Sequence, residues 1–189
     1  MDSKDLLIWV DIETSGLNED KDVIFQVGLL ATDANLNVIS TGPQVTILQT
    51  DLPPMHEVVV EMHTASGLLD RVKSSSTYLA DAEEILLAYV KSFEVEPETI
   101  PMCGSSIHFD RRFLSKDMPE FEAWFFRRNV DVGSFKEMVR RWYPDEYQAV
   151  HELLAPRKTH IPHDDLMDSI EELRAYRRLL VNMTPKAAA

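Results

Sequence analysis

The run Leu6-Leu7-Ile8-Trp9-Val10 ends in Asp11-Ile12-Glu13-Thr14, and no other stretch constrains the fold as tightly. Five consecutive apolar residues are too few for an amphipathic helix and read as a strand buried on both faces. Side chains alternate along a strand, so Asp11 and Glu13 point to the same side of the sheet. Two like charges at the end of an apolar strand are costly to desolvate unless positive charge lies between them. A pair of divalent cations is the simplest source of that charge. Alone the motif is weak, because surface Asp-x-Glu pairs are common, and its partners must come from elsewhere in the chain.

A length of 189 residues suits a single domain, here residues 1–183, with 184–189 expected as a disordered tail. Cys103 is the one cysteine, which excludes an internal disulfide and fits a reducing compartment. It reads as a small core residue on a strand, with no activating histidine in a cysteine-enzyme pattern. The sequence has neither a signal-peptide pattern nor an apolar run of membrane-spanning length, so a cytoplasmic location is expected. The net charge of −13 lacks the basic surplus that long nucleic acid requires. Either the partner is not a polyanion, or a short one is held by a few local cations.

Strands are expected at about 6–13, 24–32 and 38–48, separated by turn signals at Gly16–Asp20 and Asp33–Asn35. Short connections imply an antiparallel meander. A helical segment begins near Glu57 and runs toward His63, and apolar spacing predicts a helix over Thr77–Phe93. Further strands are expected at Ile100–Cys103 and Asn129–Val132, and further helices from Arg111 and around Ser134–Trp142. An irregular stretch covers Tyr143–Ile161, and a last helix begins near Pro162 and continues to about Val181. The pattern is that of an α/β domain, a mixed five-stranded sheet covered by helices on both faces.

Two further places carry acidic groups. Asp110 follows the fourth strand at a helix start, where a carboxylate is favoured as a cap, and capping is its first reading when taken alone. Asp164, Asp165 and Asp168 crowd the first turns of the last helix, where the helix dipole also favours them. His160 precedes Asp165 by five positions and can fold back over a metal held there; a structural role is the alternative.

Asp11-x-Glu13, then Asp110, then His160 with Asp165, resembles the DEDDh 3′-to-5′ exonucleases. Within them the chain is similar to the oligoribonuclease family, on Ile8–Leu17, Thr32–Asn37, His63-Thr64-Ala65-Ser66-Gly67-Leu68, Asp110-Arg111-Arg112-Phe113-Leu114 and His160–Asp165. The resemblance implies a ribonuclease-H-like fold, three antiparallel strands then two parallel, and a homodimer. It also implies release of nucleoside 5′-monophosphates from the 3′ end of short single-stranded RNA.

On that resemblance Asp11, Glu13, Asp110 and Asp165 are ligands for two Mg²⁺ or Mn²⁺ ions, which favour hard carboxylate oxygens. His160 is the general base, imidazole being able to take a proton near neutrality. His163 and Asp164 are rivals for these two roles, and the family spacing favours His160 and Asp165. Substrate contacts fall on Thr14, Leu17 and His63, with Ser106, Arg128 and Lys136 holding a 5′ phosphate. Leu17 reads equally as a base wedge or as a buried loop leucine.

The sequence also departs from the family. Val58 stands where a tryptophan is usual, Gly133 where a serine is expected, and His108-Phe109 where Gly-Gln is usual. Phe109 is either a replacement aromatic or core. These changes imply slower cleavage, a broadened length preference or a modified substrate. The competing readings are an exonuclease acting on single-stranded DNA and a non-catalytic oligonucleotide-binding module.

Overall fold

The computed structural model describes residues 5–154 and 160–182. The apolar strand β1 (Leu6–Thr14) takes the middle position of a five-stranded sheet. It pairs antiparallel with β2 (Ile24–Asp33), which pairs antiparallel with β3 (Val38–Thr46). On its other side β1 runs parallel to β4 (Met102–Gly104), and β4 parallel to β5 (Asn129–Asp131), giving the order β3-β2-β1-β4-β5. The sheet is thus the mixed one expected, three antiparallel strands followed by parallel ones.

Alternation along β1 divides the core. Leu6, Ile8, Val10 and Ile12 face a cluster completed by α3 (Leu79–Lys91), α4 (His108–Asp117) and α5 (Pro119–Glu122), through Leu86, Val90, Phe113 and Phe121. Trp9 faces the opposite layer and packs with Leu166 and Ile170 of α8 (Pro162–Asn182) and with Val132 of α6 (Val132–Trp142). Its indole donates to the Thr32 hydroxyl at 3.0 Å, so no buried N–H is left unpaired there. Period-two geometry therefore sends Asp11 and Glu13 to the α8 side. Cys103 lies fully buried in the same cluster, and burial pushes its thiol up, away from the nucleophilic thiolate.

One stretch differs from expectation. Helix α7 (Pro144–Leu153) occupies the stretch expected to be irregular; Pro144 suits its first turn, and Val150 packs against Val139 and Tyr176. The helical segment expected from Glu57 toward His63 is α1 (Glu57–Ala65), and a short α2 (Leu68–Ser74), which the sequence reading did not name, follows it after Gly67, whose φ of 69° only glycine takes readily. The tail expected at 184–189 lies outside the described residues. Among those described, no helix is long and apolar enough to cross a membrane.

The start of α8 is set by one glycine. Gly28 pairs with Asp11 across the β1–β2 ladder, and a Cβ built on it would come 2.4 Å from Pro162 Cβ. Helix α8 therefore begins directly over the strand backbone. His163 adds an N–H bond to Gln44 Oε1 at 3.2 Å, while Arg174 donates to the Leu36 carbonyl at 3.0 Å further along the helix. Gly28→Ala should force the first turn of α8 outward and cost about 1–3 kcal/mol, as overpacking does. Thermal unfolding checks this: a variant as stable as the parent would show that the helix does not rest on that strand.

Candidate active site

The parallel register of β1 and β4 covers Ile8↔Met102 and Trp9↔Cys103 only. Beyond it β1 continues with its open edge toward α4. The Ile12 amide is taken up there by Asp110 Oδ1 at 3.0 Å. Asp110 is thus placed between Asp11 and Glu13 by a main-chain bond from the intervening residue. This is more than the helix cap it resembles in sequence. The location, at the carboxyl ends of parallel strands where neighbours diverge, is where open α/β sheets hold their ligands.

From the other layer α8 brings Asp165, and the chain ahead of it brings His160. One ligand atom each from Glu13, His160 and Asp165 can be chosen so that all lie within 4.8 Å of one another. His160 has φ 50°, a left-handed conformation uncommon for a residue with a Cβ and of the kind found at functional sites. The sequence rivals are not in this group of three. His163 sits over Gly28 and Gln44, and Asp164 is outside this group.

Electrostatics report the same convergence. Burial, and then the charges of Asp110, Glu13 and Asp165, hold the Asp11 carboxyl well above the usual range. Burial, then Asp165 and Asp110, raise Glu13 to about 8. Asp110 is pushed up to about 7 by burial, against the bonds from Ile12 and its own amide. Carboxyls buried and crowded in this way form a set that a divalent cation suits: hard oxygen donors carrying concentrated negative charge.

The remaining sequence candidates are placed unevenly. Leu17 is 78% exposed at the tip of the β1–β2 connection, which removes its reading as a buried loop residue. Thr14 is nearly buried and donates its hydroxyl to the Gly16 carbonyl at 2.6 Å. His63, read as lying in the substrate groove, is instead fully buried: its Nε2–H donates to the Thr14 carbonyl at 2.9 Å and its ring meets Phe25 edge-on. Ser106 is exposed with φ 59°, its amide donating to Asp131 Oδ1 at 2.8 Å. Arg128 is exposed beside the Phe126 ring. Lys136 is committed to Glu172 of α8 at 2.9 Å, so it does not extend freely toward Ser106. Phe109 packs on the core and on Phe113, which settles it as structural.

Asp131 escaped the sequence reading. It caps α6 through the Gly133 amide at 3.0 Å, binds the Ser134 hydroxyl at 2.6 Å, and fixes the Ser106 loop with the same carboxylate. Its place before Val132-Gly133-Ser134 carried a capping signal that could have found it.

Comparison with known proteins bears on the family and the fold. The signature of the exonuclease family (RNase_T) matches residues 8–176. Oligoribonuclease of Streptomyces griseus is 46% identical over 177 residues, covering 92% of this chain and 85% of that protein. Oligoribonuclease of Marinobacter nauticus is 42% identical over 179 residues, covering 94% and 97%. Among solved structures, an E. coli exonuclease I–single-stranded DNA complex superposes with a TM-score of 0.68 at 14% identity, over 95% of this chain and 42% of that one. S. pombe Pop2p in its Mg²⁺- and Mn²⁺-bound form gives 0.64 at 17%, over 93% and 83%. The fold and the acidic cluster define a nuclease of the exonuclease class. The chain belongs, within that class, to the oligoribonuclease family.

The raised carboxyls fix the sign of a pH effect. Glu13 and Asp110 bind protons more tightly folded than unfolded, so the stability they give is full below the ordinary carboxylate range. It is lost as pH climbs toward about 7 for Asp110 and about 8 for Glu13. In EDTA the Tm should fall between pH 5 and pH 8.5, and Mg²⁺ should restore it most at the alkaline end. Glu13→Gln should flatten the slope; an unchanged slope in that variant would contradict the assignment.

Proposed function

We propose that this protein is a 3′-to-5′ exoribonuclease that hydrolyses short single-stranded RNA to nucleoside 5′-monophosphates. The observation that carries the reading is the convergence of Asp11, Glu13, Asp110 and Asp165 beside His160. The first three carboxyls are raised by burial and, for Asp11 and Glu13, by the charges of this same group. The oligoribonuclease relatives supply the RNA specificity of the proposal.

Asp11, Glu13, Asp110 and Asp165 would hold two divalent cations, Mg²⁺ or Mn²⁺. Bound there, such ions neutralise charge on the phosphodiester oxygens and make water more acidic. His160 then accepts the proton of the attacking water, a role supported by its place beside Glu13 and Asp165. Cleavage breaks the bond between phosphorus and the 3′ oxygen of the preceding nucleotide, so the phosphate leaves on the 5′ carbon of the released residue.

Leu17 and Val58, 78% and 62% exposed, present apolar surface to the bases. The Ser106 hydroxyl and Arg128 hold the 5′ phosphate. Lys136 contributes only by exchanging Glu172 for that phosphate. A Cβ at Gly133 would press to 3.0 Å from Ser106 Oγ, so glycine leaves this end of the site roomier than a serine would. With Val58 in place of an aromatic, base gripping weakens, and the length preference broadens beyond dinucleotides. The proposal includes a homodimer and a cytoplasmic location, the latter suited by the single, buried thiol.

Stepwise shortening of 5′-labelled RNA dimers, heptamers and longer strands from the 3′ end tests this. Activity should be abolished by EDTA, fall at least a hundredfold in Asp110→Asn, and vary only shallowly with length. A steep preference for dimers would refute the broadening, and faster cleavage of matched DNA oligomers would favour the deoxyribonuclease reading. Val58→Trp should lower KM for a short RNA roughly fivefold or more, since one base–aromatic stack contributes about 1–3 kcal/mol. An unchanged KM would remove Val58 from the substrate face.

A further inference from the structure

Helix α1 buries one residue only, and that residue is His63. A helix docked merely for packing would present an aliphatic side chain at that point. Here it presents an imidazole whose surroundings are specific on three sides.

The first is the sheet. The β1–β2 ladder runs in register from Leu6↔Asp33 to Glu13↔Gln26 and then shifts, Thr14 pairing with Ile24. Phe25 is the extra residue of this bulge. The His63 ring stands against Phe25 at 5.5 Å between centroids and 75° between planes. The second is the strand backbone: the Thr14 carbonyl, a pure acceptor, receives the Nε2–H at 2.9 Å. The third is the carboxylate, Glu13 Oε2, 3.9 Å from Nδ1. Nδ1 is buried and has no hydrogen-bond partner among the described residues, and its distance from Glu13 exceeds that of a direct bond. The ring therefore acts on Glu13 through the main chain next to it and by filling the bulge. Bulges beside active sites commonly re-aim a neighbouring side chain.

We propose that His63 is a positioning residue: by locking the β1–β2 bulge from α1, it fixes the direction in which Glu13 presents its carboxylate to the metal site. The inference rests on the reading of Glu13 as a metal ligand. It also gives His63 a role other than contact with substrate, from which its complete burial removes it.

Calorimetric titration with Mn²⁺ separates the possibilities, using the parent, His63→Leu, His63→Gln and Glu13→Gln. His63→Leu, which keeps the volume and loses the donor, should weaken Mn²⁺ binding ten- to a hundredfold, the range typical of groups that orient metal ligands. His63→Gln, whose amide can still donate to Thr14, should recover part of the loss. Steady-state rates should show a fall in kcat with KM for the oligonucleotide little changed. Parent-like Mn²⁺ affinity in His63→Leu overturns the proposal, whether accompanied by a raised KM, which would mark a substrate contact, or by a lowered Tm alone, which would mark packing. Should Glu13→Gln also bind Mn²⁺ like the parent, the metal-site reading fails and this inference with it.

Discussion

The hydrogen bond from the Ile12 amide to Asp110 organises the site. It ties α4 to the end of β1 at the point where the parallel ladder has stopped, and it sets a third carboxyl between two that already share a face. Left uncompensated, such a grouping repels itself, and burial together with that crowding raises the affinity of its members for protons. The surrounding fold serves this arrangement. Apolar packing on the α3–α4–α5 side buries one face of β1, while the opposite face is left to bring in α8.

What α8 delivers depends on how near it can come. Gly28 removes the side chain that would stand between Pro162 and the strand backbone, and the helix start settles over the ladder position occupied by Asp11. Arg174 anchors the same helix to the β2–β3 turn through the Leu36 carbonyl. The acidic cluster is thus a junction of two layers: β1 and α4 contribute from within the sheet, α8 from above it.

Much of this was legible in the sequence because it depends on short-range periodicity. The run Leu6–Val10 announced a strand buried on both faces, and the i, i+2 spacing of Asp11 and Glu13 announced their shared direction. The meander of β1, β2 and β3 followed from its turn residues, and the family resemblance supplied Asp110, His160 and Asp165 as partners. What could not be read was contact. His63 sits in a motif that suggests an exposed groove, yet its burial depends on a bulge at Phe25, and bulges leave little trace in residue type. Lys136 carries the charge expected of a phosphate ligand, and only the fold reveals Glu172 opposite it. Helix α7 was missed because its apolar positions face Val139 and Tyr176, partners remote in the chain or on another helix.

The chain order of the junction has a further consequence for the life of the protein. The first two acidic members stand at positions 11 and 13, whereas Asp165 and its neighbour His160 belong to the final helix and its approach. During synthesis the sheet can assemble while the last constituents are still inside the ribosome. A nascent chain therefore carries an incomplete centre until α8 emerges and docks over Gly28. The full acidic cluster is in this way assembled only once α8 has docked on the sheet.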